Sequence, residues 1–231
     1  MERGAWNRFH KKRDWENHQV TSINREKAHA IWHAYATEEE AVAYGDSSNR
    51  MSLDGVWDFA FLENPDAFHE ELLQGHGTFQ KICVPGNWEL QGFGKPAYGN
   101  MLYPFLPAED ESFLCPVKRK QRDIHEDYYP PYVPKRANNV GVYLRSFVLP
   151  DHFYGKDIFI RFGGVESAFY LWINGAPIGY SQDAKLPAEF NITSYITCGE
   201  NRITVEVLQF SDGTWLECQD NFYLSGIFRP V

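Results

Sequence analysis

Residues 170–181 read YLWINGAPIGYS, and the Asn174-Gly175 pair at their centre decides how this part of the chain folds. Asn-Gly between two apolar runs is the strongest short-range hairpin signal. A two-residue type I′ turn needs positive φ at both central positions, and these residues adopt it at least cost. Phe169, Tyr170 and Trp172 then alternate along a strand, with at least one of its faces in a core. The same reading extends outward in both directions. In NRITVEVLQF (201–210), Ile203, Val205 and Val207 point inward while Arg202, Thr204 and Glu206 point outward. GVYLRSFVL (141–149) places Val142, Leu144 and Val148 on one face, and KDIFIRF (156–162) does so with Ile158, Ile160 and Phe162. LDGVWDFAFL (53–62) alternates in the phase of Leu53, Trp57, Phe59 and Phe61, with Val56 out of phase. Short strands at regular spacing, joined by turn residues with almost no helix, predict an all-β fold: a jelly roll or related β-sandwich.

Upstream of these strands, residues 1–50 read as an extended N-terminal arm and linker, and residues 51–231 as the sandwich. REKAHAIWHAY (25–35) has some helical character, and TEEEAVAYGDSSNR (37–50) is polar and ends in turn formers. Between residues 85 and 134 the sequence is irregular, rich in Pro, Gly and Tyr. Irregular segments of that length usually carry function or cover a surface.

The chain has 231 residues, 16% of them aromatic, which is enough to build a sizeable core. A net charge of −9 argues against nucleic acid, which demands a concentrated positive surface. The basic run VKRKQR (117–122) is followed at once by DIHED and reads as a solvated loop. No stretch approaches the ~18 apolar residues of a membrane helix. The first residues are polar and lack the apolar core of a secretory signal. Cys83, Cys115, Cys198 and Cys218 are scattered, which fits neither a zinc site nor a compact disulfide framework. A reduced, cytoplasmic protein is the expectation. His29 and His33 stand four residues apart, as two ligands on one helix face would, but no third ligand follows nearby. The nucleophile-elbow, zincin, dinucleotide and P-loop motifs are all missing.

A β-sandwich rich in aromatics and in Asn, Asp and Gln suits sugars. Aromatic faces stack on pyranose C–H surfaces, and planar amides and carboxylates bind pairs of hydroxyls. On that chemistry alone, a freestanding carbohydrate-binding module and one part of a sugar enzyme stay equally open.

Four strings separate the two. DWENHQVTSINREKAHA (14–30), VPGNWELQGFGKPAYGNMLYPF (84–105), GVESAFYLWINGAPIGYSQDAKLPAEFNIT (164–193) and FSDGTWLECQDNFYLSGIFRPV (210–231) together resemble the N-terminal portion of glycoside hydrolase family 2 β-galactosidases of the LacZ type. The resemblance is co-linear over nearly the whole chain. It is weakest at residues 37–50 and in an insertion at 107–128. GYSQDAKLPAEF (179–190) resembles the β-galactosidase branch more than the β-glucuronidase or β-mannosidase branches. The resemblance implies a jelly-roll domain followed by immunoglobulin-like domains and a TIM barrel that carries both catalytic glutamates of a retaining mechanism. No catalytic residue is then expected in this chain, and the chain alone should be inactive.

The resemblance also implies roles for particular residues. Asp220 matches a carboxylate that reaches the barrel's mouth and meets both galactose and a bound Na⁺; a loop Asp capping a turn is the plainer reading. Asn100 matches a residue lining the outer edge of the galactose site, against an Asx-turn residue before a strand. Met101 occupies the next lining position. Trp215 and Glu217 share the loop with Asp220, although a Trp here is more often core. Arg229 reads as structural, at a seam with a following domain. Na⁺ and Mg²⁺ are implied for the longer enzyme, with none expected tightly bound here. The implied partners are a β-galactoside, the remaining domains of the same polypeptide and further copies in a homo-oligomer; nucleic acid and membrane are not among them. In such enzymes the arm crosses subunit interfaces, so residues up to about 44 are expected to be loosely held in the isolated chain.

Overall fold

The structure, a computed structural model, describes residues 12–99, 131, 133, 138–217 and 220–231. Asn100, Met101, the insertion at 107–128, Cys115 and Cys218 lie outside the described residues.

β11 (Glu200–Leu208), the most regular alternation in the sequence, forms the centre of a seven-stranded sheet. On one side of it lie β5 (Val140–Val148), β2 (Gly55–Leu62) and β3 (Gln80–Val84). On the other lie β8 (Ala168–Ile173), β9 (Ala176–Ser181) and β1 (Ser22–Ile23). Every pairing is antiparallel. The Asn-Gly turn joins β8 to β9 with φ of 52° at Asn174 and 78° at Gly175, as the sequence requires. Asn174 also anchors the turn to β11. Its Nδ2 donates to Asn201 Oδ1 at 2.8 Å, and its Oδ1 accepts from Arg202 N at 2.8 Å.

Three two-stranded ribbons complete the fold: β6 (Phe159–Phe162) with β10 (Ala188–Asn191), β4 (Ala97–Gly99) with β12 (Asn221–Tyr223), and β7 (Val165–Glu166) with β13 (Gly226–Ile227). One core lies between the large sheet and the β6–β10 ribbon. It holds Trp57, Phe59, Tyr143, Phe169, Val205 and Val207 from the sheet against Ile160, Phe162 and Phe190 from the ribbon. The all-β expectation holds. The phase of β2 and of β6 holds as well, with Val56 exposed and Ile160 and Phe162 buried.

The second face of the large sheet departs from expectation. Thr204 and Glu206 on β11 are 1% and 0% exposed rather than outward. A second apolar layer covers that face: Val142, Leu144, Tyr170, Trp172 and Tyr180 pack with Trp15, Phe68, Leu72 and Leu73. Every residue of β8 is therefore buried. A sheet covered on both sides loses the clean alternation of a half-solvated one. Val148 shares the face of Val142 and Leu144 but lies beyond this cover and is exposed.

Part of that cover is the arm: the expectation of a loosely held segment is corrected for residues 14–26, which pack on the sheet, while residues 27–46 are largely exposed and residues 1–11 lie outside the described residues. Trp15 is fully buried, edge-on to Tyr170 with centroids 6.0 Å apart. Asp14 accepts from Tyr170 Oη at 3.0 Å, and Asp212 N donates to Trp15 O at 2.7 Å. β1 then adds an edge strand to β9, with Ser22 opposite Ser181 and Ile23 opposite Tyr180. Beyond it, residues 25–35 are not helical. Glu26 N donates to Glu189 O, and His29 Nε2 lies 3.0 Å from Glu189 Oε2, so tertiary contacts override local propensity. His29 and His33 therefore do not share a helix face. The helix forms instead in the polar linker, as α1 (Glu38–Ala43), where the Thr37 side chain caps it by accepting from Glu40 N.

Candidate functional site

Asp220 stands at the start of the β4–β12 ribbon. The register sets Asn221 opposite Gly99, Phe222 opposite Tyr98 and Tyr223 opposite Ala97. Tyr223 points into the second core, while Tyr98 and Phe222 are exposed. Their ring centroids lie 5.2 Å apart, forming an aromatic patch on the outer face. The Tyr98 hydroxyl donates to Asp220 Oδ1 at 2.5 Å. That bond raises the phenol's pKa, because the neighbouring carboxylate resists a second negative charge. Asp220 itself is exposed, has a positive φ of 35°, and its second carboxylate oxygen has no hydrogen-bond partner among the described residues.

Both flanks of Asp220 are pinned. Upstream lies the short helix α2 (Thr214–Glu217), led in by Ser211, whose N–H donates to Thr214 Oγ1 at 3.1 Å. Asp212 accepts a hydrogen bond from Gln182 Nε2, and the Glu217 carboxylate accepts from Ala184 N at 3.3 Å. Both contacts tie the loop to the segment just past β9. Downstream, Ser225 N donates to Glu89 Oε2 at 2.8 Å, and Asn87 Nδ2 donates to Leu224 O at 3.0 Å. A rigid scaffold thus presents one carboxylate at its rim.

Glu217 and Glu89 feel the same physical effect. Burial pushes each carboxyl up to about 7, and for Glu217 the negative Glu166 and Asp183 add to the rise while Lys185 opposes it. Burial also raises Glu166, which pairs with Lys185. Glu166 and Glu217 line a polar cavity of only about 10 Å³, together with Ser167, Gln209 and Thr214. Such a space holds about one water molecule, so this carboxyl pair cannot flank a glycosidic bond.

Of the residues singled out in the sequence, the structure puts Asp220 at an exposed rim and Glu217 in the loop's anchor. Trp215 is partly buried against the second core, which fits packing. Arg229 donates to Lys185 O at 2.7 Å and lies over the Phe228 ring. Asn100 and Met101 follow Gly99 directly in sequence, but they lie outside the described residues. Sequence reasoning missed Tyr98 and Phe222. The clue was Tyr98's position two residues before Asn100, yet the bond to Asp220 spans 122 residues of chain.

Among the described residues no cluster of three or more His, Cys, Asp or Glu could hold a metal ion. An exposed carboxylate such as that of Asp220 can offer a hard cation a single oxygen ligand. No helix among them is long and apolar enough to cross a membrane.

Comparison with known proteins supplies the context. The model of one family, described as "Glycosyl hydrolases family 2, sugar binding domain", matches residues 50–116 and 124–231. A "Beta-galactosidase" of Priestia megaterium is 41% identical over 224 residues, covering 94% of this chain and 20% of that protein. One of Psychromonas ingrahamii is 39% identical over 224 residues, covering 96% of this chain and 20% of its own length. This chain thus spans about a fifth of the length of the curated relatives it matches. Among solved structures, a Bifidobacterium dentium beta-glucuronidase complexed with coumarin-3-O-glucuronide superposes with a TM-score of 0.45 at 27% identity, over 68% of this chain and 20% of the other.

Proposed function

The chain belongs to the glycosyl hydrolases family 2 as a sugar binding domain, and from that premise we propose that it is one domain of a longer retaining β-galactosidase. That enzyme would hydrolyse terminal β-D-galactosides such as lactose. Residues 51–231 would form the domain proper and residues 1–50 its arm and linker. The catalytic glutamates would lie on a barrel domain elsewhere in the polypeptide, and the longer enzyme would be a cytoplasmic homo-oligomer.

In this reading Asp220 reaches into the shared site, where one carboxylate can bind a sugar hydroxyl and serve as one ligand of Na⁺. Asn100 and Met101 would line the outer edge of the galactose subsite. Na⁺ would supply charge compensation and help orient hydroxyls; Mg²⁺ would belong to the longer enzyme without a ligand assigned in this chain. The observation that carries the reading is Asp220 itself. It is held on one oxygen by Tyr98, exposed on the other, and fixed at a rim by anchors on both flanks.

The test compares the 231-residue chain with the full product of its gene on a chromogenic β-galactoside. The longer protein should turn over the substrate, and the short chain should show no hydrolysis. Turnover by the short chain that persists at constant specific activity through purification would overturn the reading.

The exposed Tyr98–Phe222 patch favours a second reading, an autonomous carbohydrate-binding module. Calorimetric binding of galactosides to the short chain at millimolar level or better would support it.

A further inference from the structure

Glu217 ends α2, three residues before Asp220, a tether of about 11 Å at full extension. Its carboxylate accepts from Ala184 N at 3.3 Å on Oε1 and 3.4 Å on Oε2, which fastens α2 to the segment after β9. The charges around it are crowded. Glu166 on β7 shares with it the cavity of about 10 Å³, Asp183 adds a further negative charge, and Lys185 opposes them. Lys185, however, is already paired with Glu166. The other cavity walls are the uncharged Ser167, Gln209, Thr214 and Ser225, with Tyr223 from β12.

Two carboxyls thus share one cation in a space that holds about one water molecule. So little solvent cannot compensate a second negative charge, and the pair is better with one carboxyl neutral. The Ala184 N–H favours an ionised Glu217. Withdrawal from water and the nearby negative charges outweigh it, and the carboxyl is pushed up to about 7. Once swung out to water, Glu217 regains the ordinary value of 4.5. Release of α2 therefore becomes easier as pH rises from about 4.5 to about 7, and the effect is complete above that window.

We propose that Glu217 is a positioning residue for Asp220: neutral, it holds α2 on the domain and so fixes the rim carboxylate; ionised, it lets that anchor open. The proposal rests on the reading of Asp220 as part of a β-galactoside site. It adds that a proton held at the anchor governs how firmly Asp220 is presented to that site.

Hydrogen exchange on the 231-residue chain, corrected for the intrinsic rate at each pH, tests the anchor by itself. The amides from Thr214 to Glu217, each hydrogen-bonded within the turn, report its opening. Their protection should fall roughly tenfold or more between pH 5 and pH 7.5, within a limit of about tenfold per pH unit across the window. Glu217→Gln should abolish the fall, and Glu89→Gln, on the downstream flank, should retain it. Lys185→Gln removes the opposing cation and should move the end of the fall to higher pH. In the full gene product, kcat/KM of Glu217→Gln on a chromogenic β-galactoside is divided by that of the parent, so pH effects common to both cancel. This ratio should rise about threefold or more over the same interval. Equal protection at the two pH values, or a fall that survives in Glu217→Gln or vanishes in Glu89→Gln, would overturn the proposal. So would a constant kcat/KM ratio, and each of these results would leave the enzymatic reading standing. A long protein that turns over no β-galactoside would overturn that reading instead, with the exchange results still deciding whether Glu217 holds the loop.

Discussion

Glu89 accepts a backbone hydrogen bond from Ser225 while folding withdraws it from water, and burial pushes its carboxyl up to about 7. The ordinary value for an unfolded Glu is 4.5. The native state therefore binds more protons between these values, and stability falls as pH rises through that window. Below about 4.5 the contribution is fully present, and above about 7 it is gone. Glu89→Gln keeps an oxygen for Ser225 N–H and removes the charge. The variant should be more stable than the parent at pH 8 by roughly 1 kcal/mol or more, a fraction of the 1.36 kcal/mol per pKa unit that full burial would give. It should also show a shallower loss between pH 5 and 8. Urea denaturation at the two pH values checks this, and an unchanged slope would show that Glu89 is solvated in solution. At this scale the sequence was only half legible. Asp220 could be named from the string around it, and so could Glu217 as its neighbour. Tyr98 could not, because its partner lies across a ribbon whose pairing no local pattern announces.

Among the elements, the arm is where local pattern and tertiary structure disagree most. Its contacts are built by close approach: a Cβ on Gly179 would sit 2.5 Å from Ile23 O and also strike the Phe190 ring. Gly179→Ala should therefore push β1 off β9 and cost about 1–3 kcal/mol, the range for overpacking a tight site. Limited proteolysis should then cut within residues 13–26 in the variant before it does in the parent. Trp15→Ala should cost more, about 3–5 kcal/mol, because a fully buried aromatic leaves a cavity beneath the second layer. A denaturation midpoint close to the parent's would mean that the arm is not part of the domain's cooperative unit. The Asn174-Gly175 hairpin and the centre of β11 were legible because backbone and side-chain preferences agree there. Residues 25–35 were not, because their register is set by Glu189 on another strand.

Across the whole molecule, one sheet is buried on both faces, by a ribbon on one side and by the arm with short helical turns on the other. Thr204 and Glu206 misled for that reason: polar residues on an alternating strand look outward unless the far layer is known. The same arrangement fixes the β4–β12 ribbon at the rim and leaves Asp220 facing away from the domain's own cores. The central claim is that this carboxylate serves a site completed by the rest of a longer enzyme. Asp220→Asn in the full-length protein tests it most directly, since the change removes the charge and keeps the shape. Hydrogen bonds to charged groups are worth about 1.5–3 kcal/mol, so kcat/KM on a β-galactoside should fall roughly ten- to a hundredfold, with a weaker response to Na⁺ and an unchanged thermal midpoint. A variant whose kcat/KM and Na⁺ response both equal the parent's would contradict the claim and reduce Asp220 to a loop residue on a scaffold.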